Sequence, residues 1–222
     1  METATPAQRR ATRPRADALR NRERIVAAAR EMFVQHGADV PLDEIARRAG
    51  VGNATVYRHF ADRDELVHHV LLSVTDRVAS LAEAAVAAAD AAPESAFAAL
   101  RDFAHDAVDE RIGALCPIIS ESLDPHHPEL HAARVRIEGV VEALMERARR
   151  AGQLRTDIGV GDLMVALGQL TRPLPGTGGC LLDFDQFVHR HLQLFLDGLM
   201  APARSPLPGH PATLEELRDK AH

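Results

Sequence analysis

The chain has 222 residues, 46% of them hydrophobic and 26% charged. This composition excludes wholesale disorder, and the length suits one large domain or two small ones. The formal net charge of −6, from 26 Lys and Arg against 32 Asp and Glu, argues as a bulk figure against a nucleic-acid binder.

The charge is unevenly spread. Residues 1–24 hold seven Arg against three acidic side chains, a local +4. Residues 1–70 hold 12 basic and 10 acidic groups, and the remainder is left at −8. A basic head on an acidic body points to nucleic acid or another charged surface. Two cysteines, Cys116 and Cys180, are too few for a disulfide framework. With no apolar run of transmembrane length and no signal peptide, the expected location is the cytoplasm.

In chain order, residues 1–16 carry two prolines and no apolar stripe, and read as a flexible basic arm with Arg9, Arg10, Arg13 and Arg15. A helix is predicted from about Asp17 to His36, with Ile25, Ala28, Ala29, Met32 and Phe33 on one face and Gly37 as its stop. A second starts at Pro41–Leu42 and ends at Gly50. A short third runs from about Asn53 to His59, and a long fourth from after Asp62 to about Ala89. Pro93 opens a fifth, ending near Gly113, and Pro117 disturbs a sixth. Residues 124–128 form a turn. Further helices are expected over Pro128–Arg150, about Val160–Thr171 and about Phe184–Met200, with a loop at 172–183. The tail at 201–222 is Pro-rich, and Thr213–Glu216 has the form of a capping box for a short helix. The fold class is all-α, because Ala, Leu, Glu and Arg dominate and no alternating strand pattern appears.

The informative segment is Leu42–His59, LDEIARRAGVGNATVYRH. Helix, Gly-containing turn and helix make a helix-turn-helix, whose second helix is free to enter a major groove. Gly50 allows the sharp turn. Ala46 and Ala49 let the helices approach, Val51 fills the angle between them, and Val56 and Phe60 hold the second helix down. Asn53, Thr55, Tyr57, Arg58 and His59 then face outward, with groups suited to phosphates and base edges. The alternative for this segment is a helical hairpin with a solvated face.

Residues 24–72 resemble the DNA-binding domain of TetR-type transcriptional regulators. The matching residues are Ile25, Ala29, Phe33, Gly37, Ile45, Ala46, Ala49, Gly50, Val51, Thr55, Tyr57, Phe60 and Leu66. The resemblance implies that Thr55, Tyr57 and His59 contact the duplex. Gly52 and Asn53 stand at a helix N-terminus suited to a phosphate, and Arg47 and Arg48 are candidates for backbone phosphates. Arg58 is assigned a base contact, against a surface ion pair. Two departures stand out. Pro41 replaces the family's frequent Thr, and Arg63 stands where Lys is frequent, still cationic and able to hold phosphate. The arm arginines are candidates for phosphates or a minor groove, against a merely solubilising tail.

The organisation expected is then an arm at 1–16, a helix-turn-helix domain at 17–62, an effector-binding and dimerisation domain at 63–200, and the tail at 201–222. The last two helices are apolar on more than one face, which fits a symmetric four-helix homodimer contact through Leu163, Leu167, Leu170, Phe187, His191, Leu192, Leu194, Phe195 and Leu199. Burial within one subunit is the alternative. Candidate effector contacts are Phe97, Leu100, Phe103, Cys116, Ile119, Met145 and Met164, with Arg101 and His105 as polar handles; plain core packing competes at each. His127 and His131 stand four apart, but no Cys or carboxylate completes a ligand set, so neither metal nor cofactor is expected. With no nucleophile elbow or phosphate loop, an enzyme is not expected either.

The function that the motif and the resemblance together imply is a DNA-binding regulator, with the resemblance implying a repressor released from a palindromic double-stranded operator by an unidentified small effector. A helical interaction protein using the two apolar helices, without DNA binding, is the other reading.

Overall fold

The computed structural model of the chain describes residues 6–37, 39–111, 113, 115, 127–172 and 184–213. Cys116, Ile119, the interrupted helix at Pro117 and nearly all of the 172–183 loop lie outside the described residues, as does the capping box beyond Thr213. The described residues divide into two compact units, one up to Ser73 and one from Val74 onward.

In the first unit, α1 (Pro6–His36), α2 (Leu42–Ala49), α3 (Asn53–His59) and the start of α4 (Arg63–Ala91) carry the expected apolar faces. Ile25, Ala29, Phe33, Ile45, Ala46, Val56, Phe60 and Leu66 are all buried. Each large side chain among them stabilises the unit by roughly 1.5–3 kcal/mol. The helix α1 starts earlier than expected, since the backbone of residues 6–16, read from sequence as a flexible arm, is helical. Pro6 occupies the first helical position, where its fixed φ and missing N–H cost nothing.

The start of α4 is set locally. The Asp62 carboxylate accepts from the Glu65 amide at 2.8 Å, and the Glu65 carboxylate accepts from the Ala61 amide at 2.6 Å. This reciprocal box satisfies donors that a helix start leaves open.

The second unit holds the rest of α4, a single 3-10 turn (Pro93–Ser95), α5 (Ala96–Asp109), α6 (Pro128–Arg150), α7 (Val160–Leu170) and α8 (Phe184–Leu199). α5 is the centre, packing on α6, α7 and α8. Its Phe97, Leu100, Phe103, Ala104, Ala107 and Val108 are all buried, as a helix with neighbours on several sides requires.

Gln153–Arg155, after α6, tie these helices together. The Gln153 side chain accepts from the Phe97 amide at 2.8 Å, and its backbone oxygen accepts from the Ala201 amide at 2.8 Å. Arg155, only 7% exposed, donates to both Asp157 oxygens, to the Gly198 carbonyl and to the Ser205 carbonyl. Hydrogen bonding from the Arg155 guanidinium holds the Asp157 carboxyl down to about 2. Residues 205–212 therefore pack back on the helices. They return to α7, where Gly161 donates its amide to the Ala212 carbonyl at 3.0 Å and Asp162 accepts from the Ala212 amide at 3.2 Å.

Candidate nucleic-acid interface

The reading motif begins with a tight turn. Gly50 ends α2 at φ 65°, the left-handed region that a Cβ disfavours. The Val51 amide donates to the Ala46 carbonyl at 3.0 Å and the Gly50 amide to the Arg47 carbonyl at 3.1 Å, closing the helix end. Val51 then leads through Gly52, in extended backbone, into α3. One side of α3 is fixed by Val56 (1% exposed) and by Phe60 (2%) just after it. The other side presents Asn53, Ala54, Tyr57 and Arg58 to solvent, with Thr55 and His59 half-buried between the two.

Tyr57 is 58% exposed although it is a large aromatic in a helix of seven residues. Its ring offers apolar surface and its hydroxyl a hydrogen-bonding group to a partner. Arg58 donates to the Ala54 carbonyl at 3.1 Å and to Thr55 Oγ1 at 3.0 Å, so its guanidinium lies along the same outward face. The backbone at Gly52 has nothing within 4 Å of where a Cβ would stand, leaving room for close approach. Arg47 points outward with its side chain 77% exposed, 3.9 Å from Glu44.

The remaining cations assigned from sequence sit differently. Arg48 is paired with Glu31 of α1, with Nε to Oε2 at 2.9 Å. Arg63 is half-buried and donates to the Val40 carbonyl at 2.7 Å, joining α4 to the segment before α2. The structure thus brings Gly52, Asn53, Thr55, Tyr57, Arg58 and His59 onto one short helix with Arg47 near it, and engages Arg48 and Arg63 within the unit.

Two residues counted only as local charge turn out to hold the motif. Arg24 donates to the Ala49 carbonyl at 2.6 Å, at the end of α2. Arg22 donates to the His59 carbonyl at 2.9 Å, at the end of α3; its guanidinium lies 4.6 Å above the Phe60 ring and also meets His69 Nε2. Their position just before Ile25, the first matching residue of the apolar face, is the sequence signal that separates them from Arg9 to Arg15.

A small reading helix with an aromatic and a guanidinium outward, set behind a Gly turn and a covering helix, is the geometry of a DNA-binding helix-turn-helix. Known proteins share it. The sequence pattern of the bacterial regulatory proteins of the tetR family matches residues 25–70, and that of the C-terminal domain of SbtR-like transcriptional regulators matches residues 92–201. A TetR transcriptional regulator from Streptomyces coelicolor is 30% identical, with a TM-score of 0.59 over 82% of this chain and 99% of that one. A TetR regulatory protein from Mycobacterium vanbaalenii is 31% identical, with a TM-score of 0.60 over 84% and 99%. The chain belongs to the TetR family. It is a transcriptional regulator with a DNA-binding helix-turn-helix domain, and not an enzyme. An HTH-type transcriptional regulator of Staphylococcus aureus is 38% identical over 58 residues, a match that spans 26% of this chain and 31% of that relative.

In this regulator's second unit, the residues proposed for an effector are mostly core. Phe97, Leu100, Phe103 and Met145 are buried, and Met164 is half-buried. Arg101 pairs with Asp102 at 3.0 Å. His105 meets His189 of α8 through their Nδ1 atoms at 2.8 Å, and its Nε2 meets Gln193 at 3.1 Å. A cleft of about 230 Å³ lies elsewhere, lined by residues including Asp90, Pro93, Arg147 and Arg150.

Of the residues proposed for a dimer contact, Leu163, Leu167, Leu192 and Leu199 belong to the core of the single chain. Leu194 is 62% exposed, and Leu170, Phe187, His191 and Phe195 are half-buried. Val165 of α7, 40% exposed, adds to the apolar surface of these two helices.

Proposed function

We propose that this TetR-family protein is a homodimeric repressor that reads a palindromic operator through α3 and releases it when a small effector binds. The exposure of Tyr57 on a helix otherwise pinned by Val56 and Phe60 carries the DNA-reading part. Thr55, Tyr57 and His59 are assigned to the duplex, Arg58 to a base edge, and Arg47 with the Gly52–Asn53 backbone to phosphates. Arg48 and Arg63 are assigned to holding the motif, because their guanidinium groups are already engaged by Glu31 and the Val40 carbonyl.

One short helix reads too few base pairs alone, and a symmetric pair would span half-sites about 34–36 Å apart. The face around Val165, Phe187, His191, Leu194 and Phe195 supplies the apolar surface for that pair. An effector that favours a different separation of the two reading helices lowers operator affinity by its differential binding to the two states.

The experiment is selection of bound duplexes from a random pool, followed by titration with Tyr57→Ala. A palindromic sequence is expected. Tyr57→Ala is expected to weaken its binding by roughly 1–3 kcal/mol, the scale of one base contact, at an unchanged melting temperature. Failure to enrich any duplex overturns DNA reading, and a sequence without two-fold symmetry overturns the dimer.

A further inference from the structure

Arg22 and Arg24 lie two residues apart on α1, and each ends on the carbonyl terminus of a different helix. Arg24 donates to the Ala49 carbonyl at 2.6 Å, and more weakly to the Gly50 carbonyl at 3.4 Å, at the end of α2. Arg22 donates to the His59 carbonyl at 2.9 Å, the last residue of α3. Helix C-termini carry partial negative charge and open carbonyls, so a guanidinium there is attracted on both counts.

Arg22 does more than cap. The same guanidinium lies 4.6 Å over the Phe60 ring and meets Nε2 of His69 on α4. A guanidinium has only donors, so His69 Nε2 is the acceptor in this contact. One side chain of α1 thereby touches the end of α3, the aromatic residue that anchors it, and α4. A seven-residue helix is marginal without tertiary support, and a face held only by Val56 and Phe60 leaves its end free to tilt.

We infer that Arg22 and Arg24 are positioning residues for DNA recognition: they fix the two ends of the turn-and-helix unit so that Tyr57 and Arg58 are presented in one orientation. The inference rests on the proposed reading of DNA by α3. Both residues precede residue 25, where the tetR-family pattern begins. Each is assigned to the protein's own helix ends and not to DNA, because each guanidinium already donates to one of the chain's carbonyls. A lysine at 22 would keep the charge and lose the fork, since an ammonium cannot span carbonyl, ring and imidazole together.

The test uses the full chain and the duplex that the wild-type chain enriches from a random pool. Arg22→Gln is expected to weaken binding to that duplex about tenfold, a change of roughly 1.4 kcal/mol, and Arg24→Gln to weaken it less. The only tyrosine of the chain is Tyr57 and there is no tryptophan, so tyrosine anisotropy reports on α3 directly. It is expected to fall in Arg22→Gln at a temperature where circular dichroism shows the chain fully helical. Arg22→Lys is expected to recover part of the affinity. Ile25→Val loosens the core of α1 without touching either helix end, and is expected to leave affinity unchanged while the chain stays folded. Wild-type affinity and anisotropy in Arg22→Gln, or a loss that follows only the fraction unfolded, overturns the inference. A wild-type chain that enriches no duplex overturns the DNA reading itself; the tyrosine anisotropy then still decides whether Arg22 orders α3.

Discussion

Gly50 is held by two constraints that reinforce each other. Its φ of 65° disfavours any residue with a Cβ. A Cβ built there also lies 2.7 Å from Nη2 of Arg24, the group that caps α2. Gly50→Ala is therefore expected to lower stability by about 1–3 kcal/mol, the range for a strained backbone position, measured by denaturant unfolding. Adding Arg24→Ala removes the collision and not the backbone strain, so the double variant is expected to cost less than the two single changes added together. Full additivity would show that Arg24 and Gly50 do not share the site. The glycine was legible in the sequence, because a turn between two short helices needs one. The arginine was not. A positive charge in a sequence carries no direction, and the carbonyl that Arg24 caps belongs to residue 49, in another helix.

At the scale of elements, the helices that punctuation controls were legible and the contacts that backbone carbonyls make were not. Gly37, Gly50, Pro93 and Pro128 fixed helix ends to within a few residues, because each either removes a donor or relieves a steric cost. Pro6 misled, since a proline in the first turn starts a helix as readily as it marks a loop. The tail shows the other limit. Four prolines predict that it is not helical, but nothing in them tells that residues 205–212 bind α7 and Arg155. That docking depends on Gly159 and Gly161, where a Cβ would lie 2.5 Å from the Ala212 oxygen. Ending the chain at Ala201 removes hydrogen bonds to Arg155, Asp157, Gly161 and Asp162. After the entropy of pinning the tail is subtracted, the loss is expected to be roughly 1–3 kcal/mol. Thermal unfolding of the shortened chain should then begin about 2–10 °C lower. An unchanged transition would mean that these bonds only replace water.

For the whole molecule, the net charge of −6 is the figure that misleads when it stands undivided. The acidic excess belongs to the residues after 70, and the reading motif sits in a part that is weakly positive. Within that part the structure narrows the supply of free cations further. Arg22, Arg24, Arg48 and Arg63 contact carbonyls and Glu31, and the proposed reading assigns only Arg47 and Arg58, beside α3, to the duplex. Two such groups per subunit give little of the phosphate neutralisation that sets the salt dependence of binding. Arg9, Arg10, Arg13 and Arg15 are the largest remaining source, and the extension of α1 to Pro6 joins them to the unit that carries α3. A chain lacking residues 1–16 is therefore expected to bind selected and scrambled duplexes more weakly by a similar factor. The slope of log affinity against log salt should become shallower by about 0.9 for each phosphate no longer neutralised. Titrations between about 50 and 200 mM salt measure both. A loss confined to the selected duplex would instead place these arginines on bases, as minor-groove readers. An unaltered slope would leave them out of the interface and return the whole electrostatic burden to Arg47, Arg58 and the amides at the start of α3.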